Sequence, residues 1–333
     1  MNRSNPHISF VLVGRNDNYG GDFADRLQRS VQHTLSGIQK FGIHAELLFV
    51  NYNPWEQPPI TNFINWKVNA AQTPLRIITV PNTVHTQLLA SHLSKPLPVL
   101  EYIAKNAGIR RALGEYILCM NPDILLPDAV FEAMRNLQTD TYYTADRIDF
   151  LDYENNIPAH FIRIHLKGHV QPYTQHSAFN LIIARCYNKL LCAWKLNSVH
   201  FKKLFDFLEW KVYYNNIEYK LHCNAAGDCM LMHKSKWQLL KGYNEQTFLP
   251  LHVDSLMVVQ AAAAGLKEEI FGQPVLHREH ERRFTSNTAN SDERDAYEYF
   301  QAEAKLLLHA NKNYTYNRDD WGLANFALPE IQL

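Results

Sequence analysis

The chain has 333 residues, enough for one large domain or two modest ones and for a substantial core. Its 33 basic and 33 acidic residues cancel, so no global field draws it to nucleic acid or an acidic membrane, and any phosphate must be caught locally. No run reaches the ~18–20 apolar residues of a bilayer span. Met1 to His7 is polar and lacks the apolar core of a signal peptide. The five cysteines (Cys119, Cys186, Cys192, Cys223 and Cys229) form neither an even set nor a CxxC pair, so a reducing cytoplasm is expected.

Ile8 to Val13 is a nearly continuous apolar run ending at Gly14, the pattern of a strand buried on both faces of a parallel sheet. Asp22 is placed to cap a helix in which Phe23, Leu27, Val31, Leu35 and Ile38 recur at helical spacing, and Gly42 ends it. Ala45 to Val50 reads as the second strand, closed by Asn51-Tyr52-Asn53-Pro54. Pro54 to Thr73 reads as loop with a short helix, and Leu75 to Val80 as the third strand. Val99 to Leu113 predicts a helix, Glu115 to Met120 a fourth strand, and Pro127 the first turn of a helix reaching about Leu137. Strands alternating with helices imply βαβ units and a parallel sheet.

Thr141 to His222 is rich in Tyr, Phe, His and Asn and mixes its periodicities. Within it, Phe201 to Tyr214 reads as an amphipathic helix carrying Lys202, Lys203 and Lys211, either packed on the surface or touching a membrane interface. The α/β texture returns from Asn224. Asp228 to His233 is strand-like, Lys234 to Leu240 helical, and Gly242-Tyr243-Asn244-Glu245 a turn. Asp254 to Ala264 predicts a helix ended by Gly265, Ala289 to Ala310 a polar helix, and the tail after Tyr314 is irregular.

Gly14 to Gly21 is not G-x-G-x-x-G, and neither a P-loop nor a G-x-S-x-G elbow occurs. What stands out is polar residues at strand ends: Arg15, Asn16 and Asp17, then Asn51 and Asn53, then Asn121 and Asp123. In a parallel sheet these ends converge on the edge where ligands bind. Arg15 can meet a phosphate with its planar fork of donors. Asp17 can accept from a nucleobase or ribose, and Asp123 can hold a divalent metal over a diphosphate. The plain alternatives are loop capping at 15–17, a braced Asn-Pro turn at Asp123 and an N-cap at Asp254.

Ala104-Lys105-Asn106-Ala107-Gly108-Ile109-Arg110-Arg111-Ala112-Leu113-Gly114-Glu115-Tyr116-Ile117, followed by Asn121-Pro122-Asp123, resembles the nucleotide-sugar half of GT-A glycosyltransferases, family 2 in particular. Lys105 stands where that family has Arg, and Asn121 where its D-x-D motif has the first Asp. Ala226-Gly227-Asp228-Cys229-Met230-Leu231-Met232 and the turn at 242–245 resemble the acceptor-side strand and turn. Asp254, ten residues before Ala264, matches the family's catalytic base, with Val253 and Leu256 replacing neighbouring acids. In His277-Arg278-Glu279-His280, His277 matches the late histidine that completes a metal site; His280 is a second choice, and a charged surface turn the plain alternative.

The resemblance implies an α/β GT-A fold: a mostly parallel twisted sheet flanked by helices, with a C-terminal helical tail. Its catalytic domain would span 1–285, with a nucleotide-sugar half (1–140) and an acceptor half (141–285), and a helical extension would span 286–333. It implies metal-dependent, inverting transfer from a nucleotide-diphosphate sugar, UDP-sugars foremost, to a hydroxyl of a glycan or glycoconjugate. The setting would be polysaccharide biosynthesis, in the cytoplasm or peripherally at the membrane. Arg15, Asp17, Asn51, Lys105, Asn106, Arg110 and Asn121 would hold the nucleotide and diphosphate. Asp123 and His277 would bind Mn²⁺ or Mg²⁺, Asp228 and His252 would face the acceptor, and Asp254 would be the base. The chemistry needs such groups: an oxocarbenium-like transition state, a cation on the leaving diphosphate, and one carboxylate to take the hydroxyl proton. Two other readings stay open, a nucleotidyltransferase that makes a nucleotide sugar and a catalytically silent carbohydrate-binding protein.

Overall fold

The computed structural model describes residues 5–66, 73–90, 97–165, 221–247, 250–280, 286–310 and 314–333, with backbone alone for 286–294 and 310. Its strands are β1 (Ile8–Gly14), β2 (Ala45–Tyr52), β3 (Leu75–Val80), β4 (Tyr116–Met120), β5 (Ile124–Leu125) and β6 (Thr141–Thr144). They continue with β7 (Arg147–Glu154), β8 (Ile157–His165), β9 (Cys229–His233), β10 (Lys267–Ile270), β11 (Val275–Arg278) and β12 (Glu330–Gln332). The helices are α1 (Phe23–Phe41), α2 (Ile60–Phe63), α3 (Asn82–Ala90), α4 (Glu101–Arg111), α5 (Asp128–Ala133), α6 (Lys234–Leu240), α7 (Val253–Ala263) and α8 (Ser286–Ala310). The expected helix over Phe201 to Tyr214 lies outside the described residues.

The fold is mixed α/β, built on an eight-stranded sheet in the order β10-β6-β9-β4-β1-β2-β3-β12. The central strands β4, β1, β2 and β3 are mutually parallel, and β10 is parallel to β6. Only β9 and β12 run against their neighbours. Successive side chains of a strand point to opposite faces, and here both faces are covered. Phe10 and Leu12 join the core shared with Leu27, Val31 and Leu35 of α1. Val11 and Val13 face the cores on the other side, with Ile109 and Ala104 of α4. Two-sided burial is why the first run is almost wholly apolar. Ser9 is the exception, and its hydroxyl donates to Glu46 Oε1 at 2.5 Å. α4 lies so close to the sheet that a Cβ on Gly108 would come within 2.5 Å of Val11 Cγ1.

A second sheet, β5-β11-β7-β8, stands beside the first. β11 is parallel to β7 and antiparallel to β5, and its register sets His277 opposite both Asp149 and Ile124. The β7–β8 pairing slips by a bulge between Asp149 and Phe150, a device that re-aims side chains along a strand.

Three local expectations change. Asp22 precedes α1, but its carboxylate accepts from Arg26 Nε at 2.8 Å instead of a backbone amide. The residue capping α7 is His252, in the left-handed region at φ 59°, and Asp254 falls inside the first turn. The tail after Tyr314 is not wholly irregular: β12 pairs antiparallel with β3, and Arg76 forks onto the Glu330 carboxylate. Among the described residues, no helix is long and apolar enough to cross a membrane.

Candidate active site at the carboxyl edge of the sheet

A cavity of about 560 Å³ opens at the carboxyl ends of the central strands, within the range of small-ligand sites. Gly14, Arg15 and Asp17 reach it from the end of β1, and Asn121 and Asp123 from the end of β4. Lys105 and Glu101 of α4 form one wall, and His277 and His280, at and just beyond the end of β11, form another. Tyr19 and Phe23 supply aromatic surface.

Asp123, His277 and His280 present ligand atoms within 4.8 Å of one another. Asp123 Oδ2 lies 3.2 Å from His280 Nε2 and 3.8 Å from His277 Nε2. Two ligands bound at about 2.1 Å to one ion stand roughly 3–3.5 Å apart, so the donor set fits a divalent cation. The same Oδ2 accepts from Arg26 Nη1 at 2.7 Å; an ionised carboxylate has lone pairs for both partners. Burial pushes the Asp123 carboxyl upward, but the charges of His277, His280 and Arg26 outweigh it and hold it well below the usual carboxylate range.

His277 is held from behind. Asp149, fully buried, stands 3.1 Å from His277 Nδ1. Burial alone would raise Asp149, yet Arg147, His165 and His277 keep it ionised far below its ordinary value. An ionised carboxylate only accepts, so the proton of His277 is placed on Nδ1 and Nε2 is turned to Asp123. Burial works against protonation of His277, but Asp123 and Asp149 overcome it and raise its pKa.

The opposite wall is knit by Lys105. Its ammonium donates to Glu101 Oε1 at 2.6 Å, Asn121 Oδ1 at 2.8 Å and the Gly227 carbonyl at 2.9 Å. Those are all three of its protons, so in this structure Lys105 positions Asn121 and the 226–228 turn. Asn121 Nδ2 in turn donates to Asp228 Oδ1 at 2.6 Å. Asp228 is buried and also receives Arg147 Nη1 at 2.5 Å. Asp254 sits behind this wall and is not among the cavity-lining residues. Its Oδ2 accepts from Gly227 N and its Oδ1 from Ser255 N, both at 2.8 Å. Burial raises its pKa against the lowering effect of those two amides.

Other candidates are spread more widely. Arg15 lies with its guanidinium 5.4 Å from the centre of the Trp55 ring and 3.8 Å from Asp17. Asn51 is buried at the end of β2, outside the cavity lining, with an Oδ1 that meets no hydrogen-bond donor. Asn106 points to the far side of α4, where it accepts from Tyr243 N and donates to Tyr243 O and Glu245 Oε1. Arg110 donates to the Trp321 carbonyl and stacks over its ring. His252 packs its ring on Phe300 and Tyr297.

Arg26, Arg147 and Asp149 escape the motif reading. Arg26 had a signal: a charge on the apolar stripe of α1 between Phe23, Leu27 and Ser30. In Arg147-Ile148-Asp149-Phe150 the alternation puts charge on one face, but nothing local says what that face meets.

No protein-family model matches this chain, and no curated protein matches it significantly. Among solved structures, it is similar to mannosyltransferase PcManGT from Pyrobaculum calidifontis, solved with GDP-Man and Mn²⁺. That likeness has 12% identity and a TM-score of 0.41, covering 92% of this chain and 73% of that one. It is also similar to the catalytic domain of Drosophila beta1,4galactosyltransferase 7, solved with xylobiose. There the identity is 11% and the TM-score 0.38, covering 85% of this chain and 77% of that one.

Proposed function

We propose that this chain is a GT-A-type glycosyltransferase that moves a sugar from a nucleotide-diphosphate sugar to a hydroxyl acceptor. One observation carries the reading: Asp123, His277 and His280 converge at the rim of a ligand-sized cavity whose other walls are the strand-end loops of Arg15, Asp17 and Asn121. Brought together at the carboxyl edge of the sheet, these groups suit an anionic, metal-bound donor. The motif resemblance over 104–123 and 226–245 supports the same reading.

A bound divalent cation would act as a Lewis acid on the leaving diphosphate. Asp123, His277 and His280 would hold it, and two imidazoles with one carboxylate suit Mn²⁺ better than Mg²⁺. Arg15 would meet phosphate oxygens, and Asp17 the ribose or base. Asn121, fixed by Lys105 and Asp228, would shape the floor beneath the diphosphate. Asp254 would take the acceptor proton in a single inverting displacement once the 226–228 turn that separates it from the cavity moves aside to admit the hydroxyl; its burial raises its pKa, as suits a base. A UDP-sugar donor and a glycan or glycoconjugate acceptor complete the proposal.

The test is a thermal-shift screen of UDP-, GDP-, CMP- and dTDP-sugars with and without Mn²⁺, followed by product analysis. Metal-dependent stabilisation by one donor class and release of a nucleoside diphosphate are expected. Release of pyrophosphate would instead assign a nucleotidyltransferase. Glycan binding without turnover, untouched by chelation, would assign a silent binding protein.

A further inference from the structure

Arg147 lies buried between two carboxylates from distant parts of the chain and lines no part of the cavity. Its Nη1 donates to Asp228 Oδ2 at 2.5 Å, and its Nε lies 2.9 Å from Asp149 Oδ1. The Nε contact is an ion pair by distance without the alignment of a hydrogen bond; Nη2 donates to Asp149 Oδ2 at 3.4 Å. Nη2 also lies 2.8 Å from His165 Nε2. Each carboxylate that Arg147 holds grips one cavity residue. Asp149 holds Nδ1 of His277, and Asp228 holds the amide of Asn121. The main-chain N–H of Asn121 is tied to the same place, donating to the Asp228 carbonyl.

Given a cation at Asp123, as the proposed function requires, we infer that Arg147 is a positioning residue that locks the metal wall of the cavity to its floor. One guanidinium fixes the aim of His277 through Asp149 and the aim of Asn121 through Asp228. The planar fork makes this possible: donors leave a guanidinium in several fixed directions, whereas a lysine ammonium is a point charge on a flexible stem. Asp149 on β7 and Asp228 in the turn that leads into β9 would otherwise repel, and the guanidinium placed between them offsets that repulsion. The bulge beside Asp149 belongs to the same device, because it falls where β7 must aim Asp149 at both Arg147 and His277.

Arg147→Lys tests this. It keeps the positive charge and removes the fork. Mn²⁺ binding to the chelator-treated full chain, followed by electron paramagnetic resonance without any nucleotide, reads the metal wall directly. About 10–100-fold weaker Mn²⁺ binding is expected, the usual cost of disturbing a group that orients a metal ligand. The bound Mn²⁺ spectrum should also broaden, which a purely structural role would not produce in a variant that melts near the wild type. In parallel, Arg147→Ala is titrated with low-millimolar guanidinium, and partial recovery of Mn²⁺ affinity is expected. Wild-type Mn²⁺ affinity and spectrum in folded Arg147→Lys would overturn the inference, as would wild-type chain that binds no Mn²⁺. Weakened Mn²⁺ binding alongside a wild type that shows no donor binding or turnover would keep Arg147's role and remove the glycosyltransferase reading.

Discussion

His277 Nδ1 and Asp149 Oδ1 stand 3.1 Å apart across paired strands, at register positions directly opposite each other. Neighbours on one face of a sheet are held at fixed spacing, so the imidazole is aimed by backbone pairing as well as by its hydrogen bond. Asp149→Asn keeps the shape and removes the obligate acceptor. Mn²⁺ affinity measured by calorimetry on the chain alone is expected to fall about 10–100-fold. An unchanged affinity would deny Asp149 its orienting role.

Asp123→Ala removes the one carboxylate of the proposed metal set. Mn²⁺-dependent donor binding should disappear in calorimetry. Stability should also drop, because Arg26 is buried and loses one of its partners while keeping Asp22 and the Tyr19 carbonyl. A loss of about 1–3 kcal/mol in denaturant unfolding is expected. Donor affinity equal to the wild type, with and without Mn²⁺, would remove Asp123 from the site.

Asp254→Asn should lower turnover by about 10²–10⁴-fold, the usual weight of a general base. Donor affinity should hardly move, since Asp254 lies behind the Lys105–Gly227 wall and outside the cavity lining. Wild-type turnover would leave Asp254 as a brace for Gly227 and Ser255 alone.

Glu245 offers a test by pH. Burial pushes its carboxyl from 4.5 up to about 6, against the lowering effect of Asn106 and the Gly322 amide. The folded chain therefore keeps this proton to higher pH than the unfolded chain. The stability it contributes is complete below 4.5 and is lost as pH rises through about 6. Glu245→Gln retains an acceptor for Asn106 Nδ2 and Gly322 N but cannot titrate. Its melting temperature relative to the wild type should climb between pH 4.5 and 6 and level off above. A difference that stays flat across that window would show that Glu245 is not perturbed.

Much of the sheet was legible because its cause is local. Residues 8–13 and 116–120 are unbroken or nearly unbroken apolar runs, and a strand covered on both faces requires that composition. Gly42 ended α1 as expected, since its φ of 61° suits glycine. The Asn121-Pro122-Asp123 turn could be placed at a strand end for the same reason. Asn106 and Arg110 belong to the motif run that also contains Lys105, but a helix turns about 100° per residue. Of these three only Lys105 faces the cavity, while Asn106 grips the 242–245 turn and Arg110 the Trp321 carbonyl.

Composition and periodicity alone determined that a two-faced sheet would form and that polar residues would crowd its carboxyl edge, because side-chain burial along a strand is written in neighbouring residues. Which distant groups meet there was decided by tertiary structure. Arg26 reaches Asp123 across 97 positions, and His277 reaches Asp149 across 128. Those contacts depend on strand pairing and sheet packing between remote segments, and a pairing partner leaves no mark in the local pattern of either strand.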